Sequence, residues 1–285
     1  MIKSIKYLYV GVVLVDSRPI GVFDSGLGGL SVIKELNCVL PNENIIYFGD
    51  TGRVPYGTRS AETIVKYAKE DEQFLLSKDV KLIIAACGTV SSVAVDTATN
   101  LPVPFIEVVT PASRAAVKDT KTGKVGVLGT LATVNSGSYK KKMLELNPSI
   151  EVTQVACPLF VQLVEAGWID RNDDVTVATA KRYLQPLIEN KVDTVILGCT
   201  HFPAIKDIIA DIMGEGVILI NSGEQAALAA AEFLKAHDLC GDGGRRRYFV
   251  SDRAQSFKLT AGILLGSEIT DVETVNLDGF GGQEK

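Results

Sequence analysis

KLIIAACGTVSS, residues 81 to 92, decides how this chain is read. Its apolar run from Leu82 to Ala86 is short, rich in isoleucine and closed by small residues, the pattern of a strand buried on both faces. The run delivers Cys87 beside Gly88 and Thr89, neither of which can shield a thiol. DTVILGCTHFP, residues 193 to 203, repeats the arrangement with Cys199, Thr200 and His201. A strand that hands its last residues to a turn and a helix is half of a βα unit, and such units recur along the chain.

From Pro19 onward short β-branched runs alternate with helix-period segments, which predicts an α/β fold built on mainly parallel sheets. The runs are IGVF, NIIYFG, KLIIAA, PFIEVV, KVGVLG, EVTQVA, DTVILG, VILI and RRYFVS. Between them, Ser60 to Lys78 reads as a helix: Ser60 caps it, Glu62 suits its positive end, and Ile64, Ala68 and Leu75 share a face. Pro186 predicts a kink or a break in the helical stretch 173 to 190. The halves also resemble each other. IGVF runs into DSGLGG and a helix before the Cys87 strand, and KVGVLG runs into Thr130 to Thr133 and a helix before the Cys199 strand. This predicts two similar, pseudo-symmetric α/β lobes, with ligands in the cleft between the C-terminal ends of their strands. The first lobe takes residues 19–111 and 222–285, the second takes 112–221, and GEQAALAAAEFLKAH carries the chain back. Residues 1–18 form a leader. Its lysine-then-apolar layout imitates a signal peptide but lacks a small-residue cleavage site, so it reads as an extra strand or a disordered arm.

Composition narrows the function. A net charge of −5 offers no basic field for nucleic acid or an anionic membrane, and is too small for an acidic mimic of DNA. Lys140 to Lys142 and Arg245 to Arg247 read as solvated faces. No apolar run reaches the ~20 residues of a membrane helix. Five cysteines without tight spacing suit free thiols in a reducing compartment, and with no CxxC and two histidines no metal site is expected. Cys38, Cys157 and Cys240 read as inert packing.

Three turns carry candidate chemistry. DSGLGG imitates a dinucleotide fingerprint, with Asp50 lying 24 residues past Gly26. Asp24, however, would sit where a pyrophosphate must go, so Asp24 and Ser25 instead suit a small ligand bearing a cation or a mobile proton. GDTGRVPYG, residues 49 to 57, is either a surface loop or a cover in which Tyr56 and the Gly57 amide close over a ligand. Thr130 and Thr133 open a helix, where hydroxyls and free amides receive a carboxylate; capping alone accounts for one of them. At Cys87 and Cys199 the following helix and hydroxyls favour a thiolate. Such a pair serves as a redox couple, as a nucleophile with a resolving thiol, or as two acid–base groups on opposite faces of one carbon. Asp24 and His201 stand near enough in sequence or repeat position to exchange protons with them.

IGVFDSGLGGLSV, YFGDTGRVPYG, IIAACGT, GVLGTLATVNSGSY, LVEAGW and LGCTHFP, in that order, together resemble the glutamate racemases of the two-cysteine aspartate/glutamate racemase superfamily. GCTH favours the glutamate branch over the aspartate branch. The resemblance implies cofactor-independent interconversion of L- and D-glutamate in the cytoplasm, supplying D-glutamate for peptidoglycan, by a homodimer. It implies that Cys87 serves D-glutamate and Cys199 serves L-glutamate, that Asp24 and His201 assist their cysteines, and that Glu165 is a further candidate near the second. Ser25, Tyr56, Gly57, Gly88, Thr89, Thr130, Thr133 and Thr200 match substrate-binding positions. Pyridoxal phosphate would need a Schiff-base lysine in a phosphate site, and none emerges. Some members with extensions answer to a cell-wall precursor, which gives the leader a candidate role.

Gly88 departs from the pattern. Glutamate racemases usually read Cys-Asn-Thr where this chain has Cys87-Gly88-Thr89. Losing that amide costs on the order of 1.5–3 kcal/mol of binding to a charged ligand. The expectation is weakened glutamate affinity or a shifted substrate. The rival readings are a racemase for another acidic amino acid or a hydantoin, and an amino-acid-binding protein with little catalysis.

Overall fold

The computed structural model describes residues 15–252, 254–266 and 268–280. Most of the leader, residues 1–14, lies outside them, and so do the readings made for it. Ten strands follow in chain order: β1 Ile20–Asp24, β2 Ile45–Gly49, β3 Leu82–Ala85, β4 Phe105–Glu107, β5 Lys124–Gly129, β6 Glu151–Ala156, β7 Thr194–Leu197, β8 Ile218–Asn221, β9 Arg246–Val250 and β10 Val272–Thr274. The helices are α1 Leu30–Val39, α2 Ala61–Leu76, α3 Gly88–Val93, α4 Val109–Asp119, α5 Leu131–Ser136, α6 Ser138–Leu146, α7 Pro158–Glu165, α8 Asp174–Glu189, α9 Lys206–Met213, α10 Ser222–Ala236 and α11 Ala254–Leu265.

All the strand pairings are parallel. One sheet runs β10-β9-β2-β1-β3-β4 and the other β6-β5-β7-β8. The segment β2-β1-β3-β4 therefore has the same order as β6-β5-β7-β8, which is the internal repeat expressed as topology. Both faces of each sheet are covered, as parallel sheets require. Leu30, Ile33, Ala227 and Ala230 from α1 and α10 pack on one face of the first sheet, and Ile64, Ala68, Phe74 and Leu75 of α2 on the other. In the second sheet the two faces take Leu163, Leu184 and Ile209 from α7 to α9, and Ala112, Ala116 and Met143 from α4 and α6. No helix among the described residues is long and apolar enough to cross a membrane.

The nine predicted strands are all present, and β10 is an addition. Its residues are half-buried or exposed, so no apolar run announces it. Ion pairs hold it to β9: Arg245 reaches Asp271 at 3.2 Å and Arg247 reaches Glu273 at 2.7 Å. The solvated-face reading holds for Arg245, whose side chain is 70% exposed, and fails for Arg246, which donates to the Asn37 side chain at 2.6 Å and the Glu43 carbonyl at 2.5 Å. Pro186 does not break α8, which continues to Glu189. It lies in the last turn, where the buried Leu184 and Leu187 hold the helix to the core. Cys38 and Cys240 are exposed, so the packing reading fails for them and holds for buried Cys157. Cys38 falls on the outer side of α1, opposite Leu36, and Cys240 lies in the loop after α10.

A buried ion pair closes the N-terminal end of the first sheet. Lys81 Nζ lies 2.6 Å from Glu43 Oε2, and their side chains are 0% and 3% exposed. The ammonium also donates to the carbonyls of Asp16 and Leu239, each at 2.7 Å, and Glu43 accepts from the Gly241 amide at 2.5 Å. Four segments distant in sequence meet at this one charge.

Candidate active site

Equivalent strands carry the two sulfurs. β3 ends at Ala85 and Cys87 caps α3, while β7 ends at Leu197 two residues before Cys199. Both thiols are buried, at 4% and 6% exposure. The C-terminal turns of the two sheets touch. Thr89 Oγ1 lies 3.0 Å from Thr130 Oγ1, Thr200 Oγ1 donates to Asp24 at 3.4 Å, and Gly57 stands against the Thr130 side chain. The turns that carry Cys87 and Cys199 therefore adjoin, one from each sheet, with Asp24, Gly57, Thr89, Thr130 and Thr200 at their contact.

Asp24, at the end of β1, is fully buried. It accepts from the Gly26 amide at 3.0 Å, so the carboxylate already takes the turn donor that a phosphate would need. A pyrophosphate at DSGLGG would have to displace this bond and sit beside the carboxylate. Burial pushes the Asp24 carboxyl up, against the His201 charge, the amides of Gly26 and Gly29, and Thr200, which favour its ionised form. Asp24 thus lies on the Cys87 side of the contact and is bonded across it by Thr200.

The surroundings of the sulfurs are unlike. Burial, seconded by the Asp24 charge, pushes the Cys87 thiol up to about 12, with the Val90 amide and Ser25 only partly offsetting them. Cys87 Sγ donates to Ser25 Oγ at 3.7 Å. Helix and hydroxyls had pointed to a lowered Cys87 pKa; burial outweighs them. Cys199 faces a cation instead. His201 Nδ1 lies 3.7 Å from its sulfur, and Nε2 lies 3.0 Å from Glu165 Oε1 at the end of α7. Burial works against charge on this imidazole, yet hydrogen bonds and charge from Cys199 and Glu165 raise it to about 10. An imidazolium beside a sulfur is the partner a thiolate needs.

The Glu165–His201 bond gives a measurable consequence. In Glu165→Gln the imidazolium loses an anionic partner, so its pKa falls. Activity that depends on the charged imidazole, present below the His201 pKa and lost above it, should disappear at lower pH than in the unsubstituted protein. The alkaline limb of a kcat/KM profile reads this directly: it should move to lower pH, while the rate near neutral pH changes much less. An unmoved limb would show that His201 does not act as a cation.

Other predicted residues divide by role. Thr130 caps α5 by accepting from the Thr133 amide at 3.2 Å, as the capping reading expects, while its hydroxyl also meets Thr89 and Thr133 at the contact of the two turns. The Tyr56 hydroxyl does not face the cleft. It is hydrogen-bonded to Asp50 and lies 3.1 Å from Asp71 Oδ2, leaving Gly57 as the part of that loop against the second lobe. Arg53 completes this network: it bonds Asp50 at 2.6 Å, Asp71 at 3.2 Å and Glu70, and stacks 4.0 Å over the Tyr67 ring. Arg53, Glu70 and Asp71 escaped the sequence reading. A signal existed, because Asp71 falls on the Ile64, Ala68 and Leu75 stripe of α2, where a carboxylate requires a buried partner.

Comparison with known proteins agrees with this geometry. Residues 20–230 match the family described as Asp/Glu/Hydantoin racemase. A glutamate racemase of Geobacter metallireducens is 44% identical over 265 residues, 92% of this chain and 97% of that protein. Among solved structures, the glutamate racemase isoform RacE1 of Bacillus anthracis superposes with a TM-score of 0.86 at 36% identity, covering 92% of this chain and 98% of that one. The Francisella tularensis glutamate racemase in complex with D-glutamate does so with a TM-score of 0.85 at 39% identity, covering 92% and 99%. Two like sheets, a cysteine at the same strand end of each, and a family match spanning most of the chain lead to one assignment: this protein belongs to the Asp/Glu/hydantoin racemase family of isomerases.

Proposed function

We propose that the protein interconverts L- and D-glutamate without a cofactor, by two cysteines acting on opposite faces of the α-carbon. The observation that carries this reading is the meeting of the Cys87 and Cys199 turns in one site, each sulfur with its own polar neighbour. An α-proton is weakly acidic, so its removal needs a strong base and its replacement from the other face needs a second acid. In the L-to-D direction Cys199, beside the His201 imidazolium, takes the proton, and Cys87, held as a thiol by burial and Asp24, donates one to the opposite face. Asp24, Glu165 and His201 hold the protonation states; Ser25, Gly57, Gly88, Thr89, Thr130, Thr133 and Thr200 line the ligand. The division into lobes of residues 19–111 with 222–285 and 112–221, a homodimer, cytoplasmic location and a part in peptidoglycan supply belong to the same reading.

The test is proton NMR in deuterated buffer. Each glutamate enantiomer is expected to lose its α-proton signal as optical rotation decays to zero, at a rate at least ~100-fold above that for aspartate, because a site built to bond one side chain leaves groups unpaired with the shorter one. Faster turnover of aspartate would move the protein to another branch of the family. Ligand binding with no exchange would make it a binding protein.

A further inference from the structure

Three glycines of the first lobe stand where it touches the second. A Cβ on Gly28 would overlap Thr200 Oγ1, and one on Gly57 would lie 2.8 Å from Thr130 Cβ. Those neighbours are side chains and can turn aside. Gly88 differs. Its Cβ would overlap the carbonyl oxygen of Gly198, 3.2 Å from the carbonyl carbon and 3.7 Å from Cys199 Cα. That oxygen is backbone, so making room for a Cβ means moving the turn itself. The Gly198 amide is bonded to the Leu128 carbonyl of the neighbouring strand at 2.8 Å, and a Cβ on Gly198 would itself lie 2.7 Å from the same oxygen. Two glycines, each adjacent to a sulfur-bearing residue, thus meet backbone to backbone.

We infer that Gly88 sets how closely the two thiol-bearing turns approach, and is a positioning residue for proton transfer across the site. With the two turns of this chain as they stand, a side chain at 88 wedges them apart by on the order of 1 Å, the distance needed to restore van der Waals contact. A displacement of ~1 Å between reacting groups costs ~100-fold in rate. Where the asparagine of the related Cys-Asn-Thr sequence adds an amide to the ligand, glycine here adds closeness between the sulfurs. The two views of Gly88 predict opposite outcomes for Gly88→Asn.

The inference rests on the two-thiol reading above, and one experiment separates their failures. The unsubstituted protein, Gly88→Ala and Gly88→Asn are given L- or D-glutamate in deuterated buffer, and two rates are followed: deuteration of the starting enantiomer and appearance of its mirror image. Gly88→Ala should racemise ~100-fold more slowly, with kcat reduced more than KM is raised. Its ratio of deuteration with retention to inversion should rise, because one thiol still removes the proton while the opposite thiol no longer reaches the carbon. Simple loss of folded protein lowers both rates equally and leaves that ratio unchanged. Gly88→Asn should also be slower. A Gly88→Ala protein with the original turnover and ratio, or a Gly88→Asn protein faster than the original, overturns the inference. Should Gly88→Ala not fold, Gly88→Asn is read by the same ratio, and a ratio equal to the original's overturns the inference. If the unsubstituted protein neither exchanges nor inverts, the two-thiol reading itself has failed.

Discussion

Cys87→Ala and Cys199→Ala should each lose racemisation by ~10²–10⁴-fold or more, the contribution of a positioned acid–base group. The two losses should not look alike. Cys87→Ala keeps the Cys199–His201 pair and is expected to exchange the α-proton of L-glutamate without producing the D form. Cys199→Ala keeps Cys87 and should act only on D-glutamate. Enantiomer-resolved deuterium incorporation separates these patterns, and residual exchange from the same enantiomer in both variants would falsify the assignment of faces. The far-ultraviolet spectrum should be unchanged, since each sulfur occupies a turn and anchors no strand.

Lys81→Met carries the largest expected cost in stability. Removing the ammonium leaves Glu43 charged, buried and short of its ion-pair partner, a loss of ~3–5 kcal/mol. For a chain of this size each kcal/mol moves the unfolding temperature by roughly 2–4 °C, so the midpoint should fall by about 6–20 °C. Calorimetry of Lys81→Met beside Lys81→Met/Glu43→Leu decides the cause. The double variant should recover much of the loss, because two apolar side chains in that space leave no charge unpaired. A shift of less than ~1 kcal/mol in the single variant would show that the carboxyl takes up a proton or that water reaches it.

Much of this architecture was legible because strands buried on both faces of a parallel sheet read as apolar runs, as IGVF and LIIA do, while the edge strand EVTQVA, which carries polar residues and is only half-buried, was legible by its place in the βα order. IGVF and KVGVLG announced corresponding strands, and the strand ends marked Cys87 and Cys199 before any contact was known. What escaped depended on neighbours remote in sequence. β10 is short and half-exposed, and only its pairing with β9 makes it a strand. Glu70 and Glu72 look like the wet side of a helix until Arg53 and Thr97 come to meet them, whereas Asp71 interrupts the apolar stripe and is met by Arg53 and Tyr56. Neither the raised Cys87 thiol nor the contact of Gly88 with Gly198 belongs to any local pattern, since each follows from how two lobes shut upon one another. Tyr56 shows the reverse error: its place beside Gly57 suggested a hydroxyl over the ligand, and two carboxylates turned it inward.

The unlike neighbours of the two sulfurs, a buried carboxyl for Cys87 and an imidazole for Cys199, constrain how the catalyst can treat the two hands of its substrate. Mirror-image molecules have equal free energy in ordinary water, so the Haldane relation fixes kcat/KM to be equal in the forward and reverse directions, whatever the protein does. Inequality between the halves therefore cannot bias the final mixture. It can emerge only as a trade, in which the direction with faster saturated turnover binds its starting isomer correspondingly more weakly.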